Sequence, residues 1–236
     1  MQQTLEIIKA DSRGSADHGW LKAKHTFSFA DYYDSKRVHF GVLRVLNDDI
    51  IAPYKGFGTH PHQNMEIITI PLKGELEHED STGMKGIVRP NEVQVMSAGK
   101  GVYHSEKNPA GVPLNLFQIW IFPNKKDVEP RYDQKKFDEA ESIDINQLLI
   151  SPDGRNKSLW IYQDAFISRR ISSGTHPFSY EKFIGSNGVF AMVVEGEAMI
   201  NGEKLSKRDA IMVGNDLDIS PSKGLHILFI EVPINN

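Results

Sequence analysis

Two short segments carry imidazole and carboxylate side chains at two-residue spacing. The first, G-F-G-T-H-P-H-Q-N-M-E, runs from Gly56 and holds His60, His62 and Glu66. The second, S-A-G-K-G-V-Y-H-S-E-K-N, runs from Ser97 to Asn108 and holds His104 and Glu106. Alternate side chains of a strand share a face, so His60 projects with His62, and His104 with Glu106. If the two strands face each other inside a barrel, three imidazoles and one carboxylate converge on a metal site. A structural zinc site closes with four ligands and often uses cysteine, and this sequence has no Cys. Mixed imidazole and carboxylate ligands suit iron, manganese, nickel, copper or zinc. On a six-coordinate metal, four protein ligands leave two positions for water, O2 or a bidentate substrate. The related pattern of two histidines and one carboxylate with open positions supports oxygen chemistry. Either pair alone reads equally well as a surface His-x-His or an unrelated turn histidine; both together, with hairpin signals between them, read as one site.

The elements that position these residues support a resemblance. His60-x-His62 with Glu66 and then Gly74 resembles the first cupin motif, and Gly101-x2-His104-x3-Asn108 the second. The glycine and proline spacing departs from the generic pattern, and a carboxylate follows two residues after the second-motif histidine. Those departures resemble the pirin family, whose signatures are T-H-P-H (Thr59 to His62) and A-G-x-G-x-x-H-S-E (Ala98 to Glu106). The likeness extends over Asp17 to Asp34, Leu43 to Asp49 and Gln118 to Ile121, thus through most of residues 11–123. Within the family the chain looks most like the bacterial pirin-like quercetin 2,3-dioxygenases.

The resemblance implies an all-β bicupin, two tandem double-stranded β-helix barrels. It implies one divalent cation per chain on His60, His62, His104 and Glu106, with iron(II) foremost and manganese, nickel, copper, cobalt or zinc as alternatives. Glu106 is then a direct ligand and Glu66 a partner that orients an imidazole. The implied substrates are a flavonol such as quercetin, or a similar aromatic molecule, and O2. The 3-hydroxyl proton passes to Glu106, or to Glu66 if the roles are reversed, and opening of the heterocyclic ring releases a depside and carbon monoxide. A second reading is a non-catalytic iron-binding redox sensor or transcription co-regulator acting through protein partners. A third is a different cupin reaction, because fold does not fix function.

The domain plan is a metal-binding cupin over residues 1–123, a charged surface connector over 124–158 and a degenerate cupin over 159–236. Residues 4–10 open as a strand. T-F-S-F-A reads as a strand with Phe27 and Phe29 on one face. Phe40 to Leu46 reads as another, ended by the turn-type cluster N-D-D. Met65 to Leu72 is apolar on both faces, as for a strand covered inside and out. A hairpin follows with its tip at Ser81 to Gly83, and His78 in it is expected to be exposed. His18, His25 and His39 read as packing or hydrogen-bonding residues. Gly99 and Gly101 allow a tight turn before His104.

The second half reads as a worn copy. Met192 to Glu203 parallels the first hairpin, with Gly196 in the place of Gly74, Asn201-Gly202 as a two-residue turn and Asp209 matching Glu92. Those offsets put Lys182 and Ile184 where His60 and His62 stand and Pro221 opposite His104, so the copy has no metal site. His176 and His226 are isolated there. Core, lid or interface are the expected roles of this half.

The net charge of the 236-residue chain is -4 and its sequence pI is about 6.1, which gives no global basic field for direct nucleic-acid binding. The N-terminal residues lack a basic region followed by an apolar core, and no apolar run approaches the ~20 residues of a membrane helix. The expectation is a cytoplasmic protein without a membrane span. Exposed sheet edges leave a homodimer open.

Overall fold

The computed structural model describes residues 6–234, whose regular structure is nearly all β and, apart from the parallel pair Gln147–Ser151 and Leu159–Trp160, antiparallel. Its helical elements among the described residues are three 3-10 turns, Ala10–Ser12, Glu139–Ser142 and Arg155–Lys157. Two barrels follow one plan, each a seven-stranded sheet closed by a four-stranded sheet. In the first, the large sheet runs in the order Arg131–Lys136, Glu92–Ser97, Glu66–Lys73, Leu114–Ile121, Leu43–Ile51, Leu21–His25, Gly14–Asp17. Its small sheet runs Gly56–His62, Val102–Lys107, Leu76–Asp80, Lys85–Val88. In the second, the large sheet runs Glu6–Ile8, Ala210–Val213, Asn187–Glu195, His226–Pro233, Phe166–Ile171, Gln147–Ser151, Leu159–Trp160. Its small sheet runs Phe178–Tyr180, Leu217–Pro221, Glu197–Ile200, Glu203–Ser206.

The outer faces of the two large sheets pack on each other. Ile68, Val95, Phe117 and Ile119 of the first meet Phe190, Met192, Leu228 and Ile230 of the second in one continuous core. This is why Met65 to Leu72 is apolar on both faces: Ile67 lies in an apolar cluster inside the barrel while Ile68 lies in the core shared by the two barrels. Inside the first barrel, Leu76, Leu114 and Leu116 fill one end and Ile67, Met96 and Val102 the other. Between these clusters the inward positions are polar, and that layer holds the site. The second barrel is filled by one apolar cluster, from Tyr180 and Val189 to Leu217 and Phe229.

Several elements differ from the sequence expectation. The opening strand, described from Glu6, pairs with Ala210–Val213 and so completes the other barrel; residues 4 and 5 of that expectation lie outside the described residues. The stretch expected as a surface connector gives strand Arg131–Lys136 to the first barrel, along Glu92–Ser97. It also gives Gln147–Ser151 to the second. The first of these is a charged sheet edge, a composition that discourages further pairing. T-F-S-F-A is not a strand: Phe27 turns into the shared core while Phe29 packs edge-on to Trp120 at 5.3 Å. N-D-D does not end a strand. Leu43–Ile51 runs straight through it, because Asn47 bonds His25 and Asp48 bonds Arg208 across the structure. The Asn201-Gly202 turn forms as expected, with both residues at positive φ (50° and 82°) and Ile200 paired with Glu203.

Candidate metal centre

The two motif strands lie side by side in the small sheet of the first barrel, not across it. They pair antiparallel with His60 directly opposite His104, and the register shifts between His104 and Glu106. Their close approach needs Gly56: a Cβ there would lie 2.2 Å from the carbonyl oxygen of Glu106. Ahead of His104, Gly99 (φ 47°) makes the turn, where a Cβ would lie 2.0 Å from the Val128 oxygen.

The result is a cluster of three imidazoles. One ring nitrogen from each of His60, His62 and His104 lies within 4.8 Å of the others. The Nε2 atoms of His60 and His104 are 2.9 Å apart. His60 Nδ1 lies 2.8 Å from the Gly58 carbonyl, which makes it the N–H donor and leaves Nε2 with a lone pair. Burial and the neighbouring His60 lower the His62 pKa to about 4. Burial, with His60 and His62 alongside, lowers His104 to about 2. Both rings are therefore neutral at ordinary pH, the form that ligates a metal.

Glu106 stands behind this cluster, fully inside the barrel. Gln118 Nε2 donates to its Oε2 at 2.8 Å, and the Thr69 hydroxyl lies 3.4 Å from Oε1. Burial raises its pKa to about 7, against the pull of Thr69 and Gln118. With His78 and His104 it forms a second group whose ligand atoms lie within 4.8 Å of one another. His78, expected to be exposed, is wholly buried. Its Nε2 is 3.0 Å from Asp80 Oδ2, and its ring stacks on Tyr132 at 4.8 Å. The signal was the alternation Leu76-x-His78-x-Asp80, whose three members are buried while Glu79 is exposed.

Glu66 belongs elsewhere. It sits on the opposite face of its strand from Thr69, outside the barrel interior. It accepts a hydrogen bond from Ser97 Oγ at 2.7 Å and another from the backbone of Tyr162 in the second half of the chain. Burial raises its pKa to about 7, but it is not among the ligand-type groups that converge. It therefore does not orient an imidazole as expected: a turn separates its strand from that of His60 and His62, and the two strands enter different sheets.

Four buried polar atoms on the strands of the first barrel have no partner: Asp49 Oδ1, Gln94 Oε1, His104 Nδ1 and Trp120 Nε1. Buried polar groups are nearly always satisfied. Ser168 Oγ and Arg170 Nε of the second barrel are also without a partner, but the four of the first barrel gather around the histidine cluster and Glu106: Gln94 beside His78, Asp49 near Glu106 and Trp120 against His62. Trp120 stands edge-on to His62 at 4.8 Å and continues the wall to Phe29. Asp49, expected only as part of a turn, has its pKa raised to about 8 by burial, with Asp48 and Glu106 adding to it. Neutral imidazole lone pairs, an adjacent carboxylate and unsatisfied polar atoms together fit a divalent cation.

Known proteins agree with this geometry. Residues 8–121 match the Pirin family, and residues 148–232 match the quercetinase C-terminal cupin domain family. The chain is 42% identical to the quercetin 2,3-dioxygenase of Escherichia coli K12, over 97% of this chain and 99% of that one. It is 50% identical to a pirin-like protein of Caulobacter vibrioides, covering 89% of this chain and 90% of that one. The crystal structure of YhhW from E. coli superposes with a TM-score of 0.93 at 40% identity, over 99% of each chain. A nickel(II) complex of the same bacterial pirin gives 0.92, over 98% of this chain and 100% of that one. Two cupin barrels, one with a cation-fitting histidine cluster, and similarity over nearly the whole length lead to one conclusion: the chain belongs to the pirin family.

Proposed function

We propose that the protein is a metal-dependent dioxygenase that opens the heterocyclic ring of flavonols such as quercetin. His60, His62, His104 and Glu106 would hold the cation, one per chain, with iron(II) as the reading and nickel(II) the ion found with the E. coli relative. A divalent metal supplies Lewis acidity and lowers the pKa of a bound hydroxyl. The other tasks fall to the chain itself. Glu106, its carboxyl poised near 7 by burial, takes up the 3-hydroxyl proton of the flavonol. Gln118 holds that carboxylate in place. Trp120 and Phe29 wall the approach to His62 with aromatic surface suited to a planar ring system. Both atoms of O2 enter the product, which leaves as a depside with one molecule of carbon monoxide.

The observation that carries the reading is the set of neutral imidazoles beside a buried carboxylate of near-neutral pKa. The 42% identity to a chain named as a quercetin 2,3-dioxygenase supports the substrate class. The test is O2 uptake and carbon monoxide release with quercetin, on wild type and His62→Ala reconstituted anaerobically with iron(II) or nickel(II), alongside metal analysis. Uptake with carbon monoxide in wild type and neither in the variant is the expected result. Stoichiometric metal without uptake would overturn the flavonol reading and favour a metal-dependent regulator that works through protein partners.

A further inference from the structure

Where the two large sheets part at one end of their shared core, they leave a cavity of about 430 Å³. That size falls in the range of small-molecule sites, which favour domain interfaces. It is on the far side of the sheet from the metal centre: Phe117 and Ile70 line it, while their neighbours Gln118 and Thr69 point inward at Glu106. The cavity wall combines an apolar surface of Phe117, Leu149 and Leu228 with the cationic side chains of Arg169 and Arg208.

The charge there is unbalanced within the protein. Arg169 is 8% exposed, yet its hydrogen bonds go to neutral oxygens: Gln147 Oε1 at 2.8 Å, Asn91 Oδ1 at 2.6 Å and the Phe137 carbonyl at 3.2 Å. Glu139 and Asp138 act on it only from a distance. Arg208 does have a carboxylate, Asp48 at 2.9 Å, but that group is shared with buried Arg13 at 3.7 Å. Of the carboxylates at the wall, Glu195 is paired with Lys207 at 2.8 Å. Glu92 accepts from the Arg89 backbone and from Gln134, and Glu139 is exposed. His226 at the same wall has its pKa lowered to about 4, chiefly by burial, with Arg169 and Arg208 lowering it further against Glu139 and Glu195. Buried charges are ordinarily paired, and a guanidinium without a carboxylate is suited to bind one.

We propose that this cavity is a binding site for a small organic anion with an apolar body, its carboxylate on Arg169 and its hydrocarbon on Phe117, Leu149 and Leu228. The site is separate from the metal centre and independent of the flavonol reading.

The test uses benzoate and 1-naphthoate as probes, with benzamide and 1-naphthamide as their neutral counterparts. Each is titrated by calorimetry into wild type and into His62→Ala, so that an acid bound to the metal is recognised. Saturable 1:1 binding of at least one acid, equal in both proteins and at least about tenfold tighter than its amide, is expected. Arg169→Gln should weaken it by about tenfold or more. Because that change also touches buried hydrogen bonds, Lys73→Glu at the exposed rim is the second variant, expected to weaken binding several-fold without altering the unfolding midpoint. Failure of both acids to bind, equal binding of acid and amide, loss of binding in His62→Ala, or affinity unchanged in both charge variants would each overturn the proposal.

Discussion

The two barrels share a strand plan and differ in what they put inside it. Their pairings give the equivalences directly. His60 faces His104 in the first small sheet, and Tyr180 faces Leu217 in the second. Glu106 faces His78, and Ile219 faces Ile200. In the large sheets Gln118 faces Thr69, and Phe229 faces Ala191. Tyr180, Leu217, Ile219, Ile200, Phe229 and Ala191 thus stand where the first chamber has His60, His104, Glu106, His78, Gln118 and Thr69, and the Tyr180–Phe229 stack at 4.4 Å occupies the space that the site keeps open. A buried carboxylate survives in the second barrel, Glu231, but it is saturated. It accepts from Tyr180 Oη at 3.2 Å, the Phe183 and Ile184 backbones at 2.9 Å each, and Asn187 Nδ2 at 3.1 Å. One barrel keeps a polar chamber around its histidine cluster, while the other fills the same architecture with apolar side chains and one satisfied carboxylate.

On that contrast, the largest stability effects belong to the second barrel. Phe229→Ala should cost about 3–5 kcal/mol by leaving a cavity where the surroundings relax only partly, read from urea unfolding. At temperatures where it stays folded, its metal content should match wild type; coordinated loss of metal would break the division of labour. His104→Ala should do the reverse. It should lower metal affinity by more than about 100-fold, beyond the 10–100-fold typical of groups that merely orient a ligand, with a smaller change in the urea midpoint of the metal-free protein. Gln118→Leu sharpens the comparison, because it gives the first barrel an apolar residue where the second has Phe229. Loss of the 2.8 Å bond to Glu106 should lower metal affinity by about 10- to 100-fold. An unchanged affinity would show that Glu106 needs no such anchor.

The sequence made the histidine cluster legible because its members alternate on two strands whose turns are marked by glycine. It also made the barrel count legible, through a second hairpin with its own Asn-Gly turn. What it hid was long-range partnership. Asn47 and Asp48 look like turn residues until His25 and Arg208 are seen to bond them. Residues 6–8 could not announce that their partner strand begins at Ala210. The offsets that placed Lys182, Ile184 and Pro221 at the lost site were displaced, since the turns flanking it differ in length from those of the first barrel. The pairings put Tyr180, Leu217 and Ile219 there instead, yet the inference that the copy lacks ligands is unaffected. The place of Glu66 is hidden for a related reason: spacing along the chain does not reveal that a turn has moved it to another sheet.

The smallest expected effect is a pH dependence of the metal-free protein that the second barrel should not share. Burial raises Glu106 and Glu66 to about 7 and Asp49 to about 8. A carboxyl whose folded pKa lies above its unfolded value contributes stability below the unfolded pKa and loses it as pH rises through the folded one. His62 and His104, lowered to about 4 and about 2, work in the opposite sense: their contribution is complete above the unfolded value near 6.5 and fades on acidification. Between pH 6.5 and 8 the histidines add only a small remainder as the last unfolded-state imidazolium disappears, while the contribution of three carboxyls is being lost, so the urea midpoint should fall across that window. Glu106→Gln, which cannot ionise, should make the fall shallower. Added metal should counter it, because a cation favours the ionised carboxylate, and its stabilising effect should be larger at pH 8 than at pH 6.5. A midpoint that is flat or rises from 6.5 to 8 without metal would mean that the first chamber is as well satisfied as the second.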